Sequence, residues 1–470
     1  MIKQQDALEF LKDQTDYSAD LIYQDPPYAL GSEIVIRSDG KVDYKKASDF
    51  MSKWDMPTGE FWEDYFKEAL RTLKYGGHCI MFGMDRQTLI FKYYAALAGF
   101  IEKQSLYWLY ISAFPKATDL AKGITAQQRV GKGSPQGLRQ VRQGDSYQPT
   151  GQKDYRKGRC FSNEIENDDR ETELTPLAQK YSGYKYSIAP LKQTNETIMI
   201  FQKPYKTGSC LYDTLKMEAG DQECTCGALN IENSRVATKD TYNYVNGAGG
   251  NTFSVGKKPD GTRTTPVKMP EAGRYPAQTY VNEKASQRLD EMSRVRKGSG
   301  KINYASETHR KGLTKDNPVF NTENSGIDVT KATGLDNYGD TGGCSKVLHR
   351  CDFEKEEHDL YFYCPKVSKK ERNAGCDELK DSTLHRKNNH PTAKPISLNY
   401  KILSLFKTPS EQRILIPFAG SGSEIIGAIK AGYTNWDACE INADYVKIAE
   451  ARIKYWSNKF QEDNKQAKLI

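Results

Sequence analysis

The chain has 470 residues, 37% of them apolar and 27% charged, with 68 Lys and Arg against 61 Asp and Glu. That length suggests two or three domains, and so low an apolar fraction means that core-forming residues are concentrated in part of the chain. The charge surplus is too small to identify a polyanion partner, and no apolar run approaches the roughly 20 residues of a membrane span. The opening Met1-Ile2-Lys3-Gln4-Gln5-Asp6 is no signal peptide, and ten scattered cysteines fit reduced thiols, so the expectation is a cytoplasmic protein.

Residues 2 to 28 read as a short strand, an amphipathic helix with Ala7, Leu8, Phe10 and Leu11 on one side, and an apolar strand that stops on Asp25-Pro26-Pro27-Tyr28. Proline lacks a backbone donor, fixes its own dihedral and restricts the residue before it, so Asp25 and Pro26 are both pushed into extended geometry. A stiff loop with a carboxylate, outward-turned carbonyls and an aromatic ring suits an amine held on a planar ring. Asp25 accepts one amine hydrogen, a proline carbonyl accepts the other, and Tyr28 stacks on the ring. The plain alternative is a strand-end turn with a solvated Asp.

Phe61 to Leu73 has apolar residues at helical spacing, with Lys74-Tyr75-Gly76-Gly77 as its glycine cap. His78 to Gly83 is a buried strand and 86 to 99 a further helix. Strands alternating with helices predict an α/β fold with a largely parallel sheet. That pattern breaks near Phe114-Pro115-Lys116. Between Arg129 and Arg159 eight basic residues, among them Arg139, Arg142 and Arg156, face only Asp145 and Asp154, with Tyr147 and Tyr155 interleaved. Cations among aromatics suit a phosphate backbone with unstacked bases, and a mobile surface loop reads equally well. Asn195 to Pro204 returns to strand character.

Residues 206 to about 345 are poor in aliphatic residues and carry a basic stretch that includes Arg288, Arg294, Arg296 and Lys297. They read as a recognition region with long loops. Cys224, Cys226, Cys344 and Cys351, with His349 and His358, lack the spacing of a structural zinc site, so no metal is expected. After a strand at Asp359 to Cys364, the rigid loop Asn389-His390-Pro391-Thr392-Ala393-Lys394-Pro395 precedes a helix from Ile396 to Phe406. The strand Arg413 to Phe418 then runs into Ala419-Gly420-Ser421-Gly422-Ser423, a helix with Ile425, Ile426 and Ile429 on its core face, and the strand Asn435 to Glu440. A strand, glycine turn, helix and acidic residue about 20 positions on let backbone approach a nucleoside cofactor while a carboxylate holds ribose hydroxyls.

Several stretches resemble the β-class amino DNA methyltransferases that use S-adenosylmethionine, in particular the phage and prophage type: Asp25 to Tyr28, Ala113 to Ala117, Asn195 to Pro204, Gly227 to Arg235, Gly273-Arg274-Tyr275-Pro276-Ala277, Tyr361 to Cys364, His390 to Pro395 and Phe418 to Gly422. The resemblance implies a Rossmann-like methyltransferase sheet in permuted order, catalytic loop first and cofactor motif last, with an irregular target-recognition region inserted. The corresponding segments are 1–115 (catalytic half), 116–185 (basic insertion), 186–205 (return strand), 206–385 (target recognition) and 386–470 (cofactor half).

Carried over by position, Asp25, Pro26, Pro27 and Tyr28 hold the target base, and Asp6 accepts from the cofactor's adenine amine. Thr392 and Lys394 bind its methionine carboxylate; Phe418, Gly420, Ser421, Gly422 and Ser423 form its turn, and Glu440 binds its ribose. Lys116, Arg129, Arg139, Arg142, Arg156, Arg274, Arg294, Arg296 and Lys297 are the nucleic-acid candidates. Where the family has Asp before its Pro-Phe, this chain has Ile416.

The implied reaction is methyl transfer to the exocyclic N6 of an adenine flipped out of double-stranded DNA in a bacterial host cell. Asp at position 25 favours adenine over cytosine N4 within the family. An RNA methyltransferase and, given Ile416, a DNA-binding module with a degenerate site stay open, as do a homodimer and a cognate restriction endonuclease as partners. A nicotinamide-dependent dehydrogenase would leave Asp-Pro-Pro-Tyr without a role.

Overall fold

The structure, a computed structural model, describes residues 2–28, 33–44, 57–109, 117–130, 174–187, 190–191, 193–235, 367–377 and 392–467, with short pieces at 243–245, 266–268, 275–281, 291, 296–297, 341–342, 349–350, 379, 388 and 390. The chain divides into two units, Met1–Leu229 with Tyr363–Ile470, and Asn230–Phe362. Residues 206–229, compositionally part of the middle zone, fall in the first unit and include a helix, Cys210–Glu218.

In the first unit β1 (Ile2–Gln4), α1 (Ala7–Lys12) and β2 (Ala19–Gln24) lead to α2 (Gly59–Thr72), β3 (Leu73–Gly83), α3 (Thr88–Ala98), β4 (Leu106–Leu109) and β5 (Asn195–Gln202). The C-terminal portion supplies α4 (Ile396–Phe406), β6 (Arg413–Ile416), α5 (Ser423–Lys430), β7 (Asn435–Glu440) and α6 (Ala443–Ala467). The strands form one sheet in the order β1-β7-β6-β2-β3-β5-β4. The first five run parallel, and β5 and β4 add antiparallel pairings.

Alternation along the buried strands explains the layers. Ile22, Cys79, Met81, Met199, Phe201 and Leu415 face a core shared with Phe10 and Leu11 of α1, Trp62, Tyr65 and Phe66 of α2 and Ile90 and Phe91 of α3. On the opposite face the Tyr23 hydroxyl donates to Asn399 Oδ1 of α4 at 2.8 Å, and His78 meets Phe406 of α4 edge-on. Helices therefore cover both faces of a mixed α/β sheet with a Rossmann-like arrangement.

One local expectation fails. The glycines at 76 and 77 do not cap α2, which stops at Thr72, and Leu73 is already extended. Registry with β2 jumps from Ala19↔Leu73 to Leu21↔His78, so residues 74–77 form a bulge, with Gly76 at φ +83°. Lys203 does the capping instead: its ammonium, 130 positions downstream of Leu73, donates to the carbonyls of Leu70 at 2.8 Å and Leu73 at 2.7 Å.

The middle unit shows short strand pairs among its described residues: Asn243–Val245 with Pro266–Lys268, Arg296–Lys297 with Thr341–Gly342, and Thr279–Val281 with His349–Arg350. The expected strand at Asp359 to Cys364 lies outside the described residues, as do Ala113 to Lys116. Among the described residues no helix is long and apolar enough to cross a membrane.

Candidate active site

All six residues of β2 are buried, as befits an interior parallel strand, and the strand delivers Asp25 to the carboxyl edge of the sheet. Gln24 anchors the strand end: its side-chain oxygen accepts from the Tyr65 hydroxyl, and its nitrogen meets Cys79 Sγ at 3.2 Å. Next to β2 lies β6, parallel and registered Ile414↔Leu21 and Leu415↔Ile22. From β6 the sheet continues through β7 to β1, and from β2 it continues through β3. The two strands thus flank the topological switch point, outside which open α/β sheets bind ligands. Asp25, from one end of the sequence, and the glycine turn, from the other, leave neighbouring strands at one edge.

The turn is built for close backbone approach. Gly420 and Gly422 have φ of +49° and +82°, and a Cβ on Gly420 would lie 2.7 Å from His390 Nε2. Glu440, at the end of β7, accepts from the Gly420 N–H at 2.9 Å and from the Asn442 N–H at 2.8 Å. Burial raises its pKa against those backbone donors. Behind the turn the buried Arg452 of α6 donates to the Ser421 carbonyl at 2.5 Å and to the hydroxyls of Ser421 and Ser423 at 3.0 and 3.1 Å. Phe418 packs on Tyr65 at 5.6 Å between ring centroids. Asp6 follows β1, whose Gln4 pairs with Glu440, and its carboxylate caps α1 by accepting from the Leu8 N–H at 2.9 Å.

Around Asp25 the structure assembles a polar cluster. Its Oδ1 accepts from the Tyr28 hydroxyl at 2.5 Å, and its Oδ2 accepts from the Lys394 ammonium at 2.5 Å. Lys394 also lies 3.3 Å from Glu196 Oε2 and 5.2 Å from the centre of the Tyr28 ring. Burial opposes the Lys394 charge, but Asp25 and Glu196 together outweigh it and raise the ammonium's pKa. The resemblance assigns Lys394 to a cofactor carboxylate; here its ammonium sits on Asp25 and Glu196, while Thr392 stays exposed two residues earlier. Tyr28 is buried, with its hydroxyl on Asp25.

Three contributors receive no role from the sequence, although Glu196 and His390 lie in stretches that carry the resemblance. Glu196 heads β5, which runs antiparallel to β3, so its start reaches the same edge as the end of β2. Glu424, in the first turn of α5, is 5% exposed, and burial pushes its carboxyl up to about 8, with Asp25 adding to the effect. His390 is pushed down to about 3 by burial, with the charges of Lys394, Arg372 and Arg452 adding to it. The signal available for Glu196 and Glu424 is a carboxylate abutting an apolar run, Thr197 to Phe201 in one case and Ile425-Ile426 in the other.

The nucleic-acid candidates Lys116, Arg139, Arg142, Arg156, Arg274 and Arg294 lie outside the described residues. Arg129 ends a helix, Leu120–Val130, and Arg296 and Lys297 lie in a strand; their side chains are outside the described set. So are Cys344, Cys351 and His358, whereas Cys224 and Cys226 carry free thiols. Among the described residues no group of three or more His, Cys, Asp or Glu could hold a metal.

An open sheet whose central parallel strands end in a glycine turn and a rigid acidic loop, with helices on both faces, defines a Rossmann-like α/β protein with its ligand edge at the switch point. The sequence profile of the N6-adenine and N4-cytosine methyltransferases, described as DNA methylase, matches residues 19–451, and the chain belongs to that DNA methyltransferase family. A search of curated proteins found no match. Solved structures that match include TTHA0409 of Thermus thermophilus with S-adenosyl-L-methionine, at 12% identity, TM-score 0.33 and coverage of 96% of this chain and 93% of that one. The M1.HpyAVI-SAM complex gives 11%, 0.32, 96% and 98%, and the cytosine-N4-specific PvuII DNA methyltransferase 10%, 0.37, 97% and 91%.

Proposed function

We propose that the protein is a β-class enzyme of the phage and prophage type that transfers a methyl group from S-adenosylmethionine to the exocyclic N6 of an adenine flipped out of duplex DNA. The observation that carries this reading is the adjacency of β2 and β6, which brings the Asp25 loop and the glycine turn to one edge. The residues at that edge fit the cofactor. Gly420 and Gly422 carry no side chain at two positions of the turn, Glu440 offers carboxylate lone pairs beyond those its backbone donors take, and Asp6 follows the neighbouring strand β1 as the cap of α1. The resemblance adds Phe418, Ser421, Ser423, Thr392 and Lys394 to these surroundings, the two serines with their hydroxyls on Arg452 and Lys394 with its ammonium on Asp25 and Glu196. When bound, the cofactor supplies an electrophilic methyl group on a sulfonium.

The protein's own task is to present the amine. A carboxylate has about four acceptor positions, and Asp25 uses two of them on Tyr28 and Lys394, leaving room for an amine hydrogen. With a proline carbonyl taking the other hydrogen, the nitrogen lone pair is drawn out of conjugation and toward the methyl group. Methyl transfer to that nitrogen from a bound cofactor would leave the amine with a surplus proton, which the Asp25 carboxylate is placed to accept. Lys394 holds that carboxylate in place through its ion pair. Unstacking the base costs a few kcal/mol, offset by contacts in the site. The carboxylate at position 25, where the resemblance allows Ser in its cytosine-modifying members, supports adenine.

The test is to incubate the protein with methyl-labelled S-adenosylmethionine and mixed-sequence duplex DNA, digest to nucleosides and identify the labelled one. N6-methyladenine is expected. N4-methylcytosine would reverse the base assignment, and DNA binding without any labelled nucleoside would leave only a binding module.

A further inference from the structure

Glu424 is the first-turn residue of α5 directly behind the glycine turn, and it is 5% exposed. Its neighbours in sequence, Ile425 and Ile426, are fully buried in the core, so the helix orientation that seats them also carries Glu424 inward. The carboxyl accepts from its own backbone N–H, and among the described residues no cation lies within ion-pair distance of it. The charged groups that face it are Asp25 on the loop after β2, Lys394 on the loop before α4 and Arg452 on α6. Lys394 is committed to Asp25 and Glu196, and Arg452 is held on Ser421 and Ser423 through one guanidinium nitrogen, its other two making no hydrogen bond among the described residues. The two cations act on Glu424 only from beyond ion-pair distance, and a buried carboxyl that no cation touches is costly unless a ligand brings one into contact. Across the turn, at the end of β6, Ile416 is fully buried and offers no polar side-chain atom.

Resting on the cofactor reading above, we propose that Glu424 is the counter-charge for the α-ammonium group of the cofactor's amino-acid portion. The site then has a built-in proton exchange. In the free protein near neutral pH the carboxyl, pushed up to about 8, holds its proton. Seating a cation beside it drives that proton off. Binding of an amino-acid-bearing ligand therefore releases a proton and tightens as pH rises toward about 8.

Titration calorimetry tests this with S-adenosylhomocysteine and with 5′-methylthioadenosine, which shares the nucleoside and thioether but lacks the amino-acid portion. Glu424→Gln is expected to weaken S-adenosylhomocysteine by about 10- to 100-fold while leaving methylthioadenosine unchanged. In the wild type at pH 7, heats measured in buffers of different ionisation enthalpy should report proton release with S-adenosylhomocysteine only. That measurement needs no variant to fold. Equal S-adenosylhomocysteine affinity in wild type and variant, or no proton release in the wild type, overturns the assignment. Failure of both compounds to bind the wild type would instead remove the cofactor reading itself, and this inference with it.

Discussion

Lys394 is the residue on which the charge balance of the site turns. It is 2% exposed and shared by two carboxylates, Asp25 and Glu196. Removing one partner of a buried ion pair leaves uncompensated charge, so Lys394→Met is expected to destabilise the fold by about 3–5 kcal/mol, read as a drop in the urea midpoint. A change within about 1 kcal/mol would mean that water reaches the cluster. Glu424 makes a second prediction. Its folded pKa lies above the ordinary carboxylate value, so its contribution is fully present below about 4.5 and is lost as pH rises through about 8. His78 and His390, both pushed down to about 3 by burial, act the other way, costing stability as pH falls below about 6.5. The histidine contributions flatten only above about pH 7.5, but they are the same in wild type and Glu424→Gln. The urea midpoint of the wild type should therefore fall relative to that of Glu424→Gln as pH rises from about 6.5 to 8, and a constant difference would contradict the Glu424 contribution. At this scale Asp25 and the glycine turn were legible because each is a local motif. The partner of Lys394 was not, because it lies 369 positions away.

Among the elements, the junction between α2 and β3 shows where local rules give way to tertiary contacts. Lys-Tyr-Gly-Gly after an amphipathic run reads as a helix cap, yet the glycines serve a bulge. There Tyr75 bonds to Glu223 through its N–H at 2.8 Å, and the Gly76 N–H donates to Lys203 at 3.1 Å. The orphan carbonyls of α2 are satisfied by an ammonium from β5's far end, a contact no window of sequence contains. Lys203→Met should cost about 1–3 kcal/mol in urea unfolding, the scale of buried acceptors left unpaired. Gly76→Ala should cost about as much, since φ is +83° and the added Cβ would lie 2.9 Å from the Tyr205 ring. The other elements were legible because their periodicity is strong. The helix Ile396–Phe406 and the strand Asn435–Glu440 begin and end where the pattern does.

For the whole molecule, alternating strands and helices announced an α/β sheet, but strand order comes from packing between segments hundreds of residues apart. That order makes neighbours of β2 and β6, and it also brings Glu196 to the site on an antiparallel strand that the alternation rule does not anticipate. The cations between Arg129 and Arg159 act at this scale too. Replacing them with Gln should flatten the dependence of log K for DNA on log salt by nearly one unit for each phosphate they neutralise, and an unchanged slope would remove that segment from the DNA interface. The most direct measurement compares wild type with Asp25→Ala for labelled nucleoside product, S-adenosylhomocysteine affinity and DNA affinity together. Product should fall at least a thousandfold, to the order expected when a group that aligns and activates the amine is removed, while both affinities stay within a fewfold. Product at near wild-type levels in Asp25→Ala would contradict an amine-gripping role for the loop.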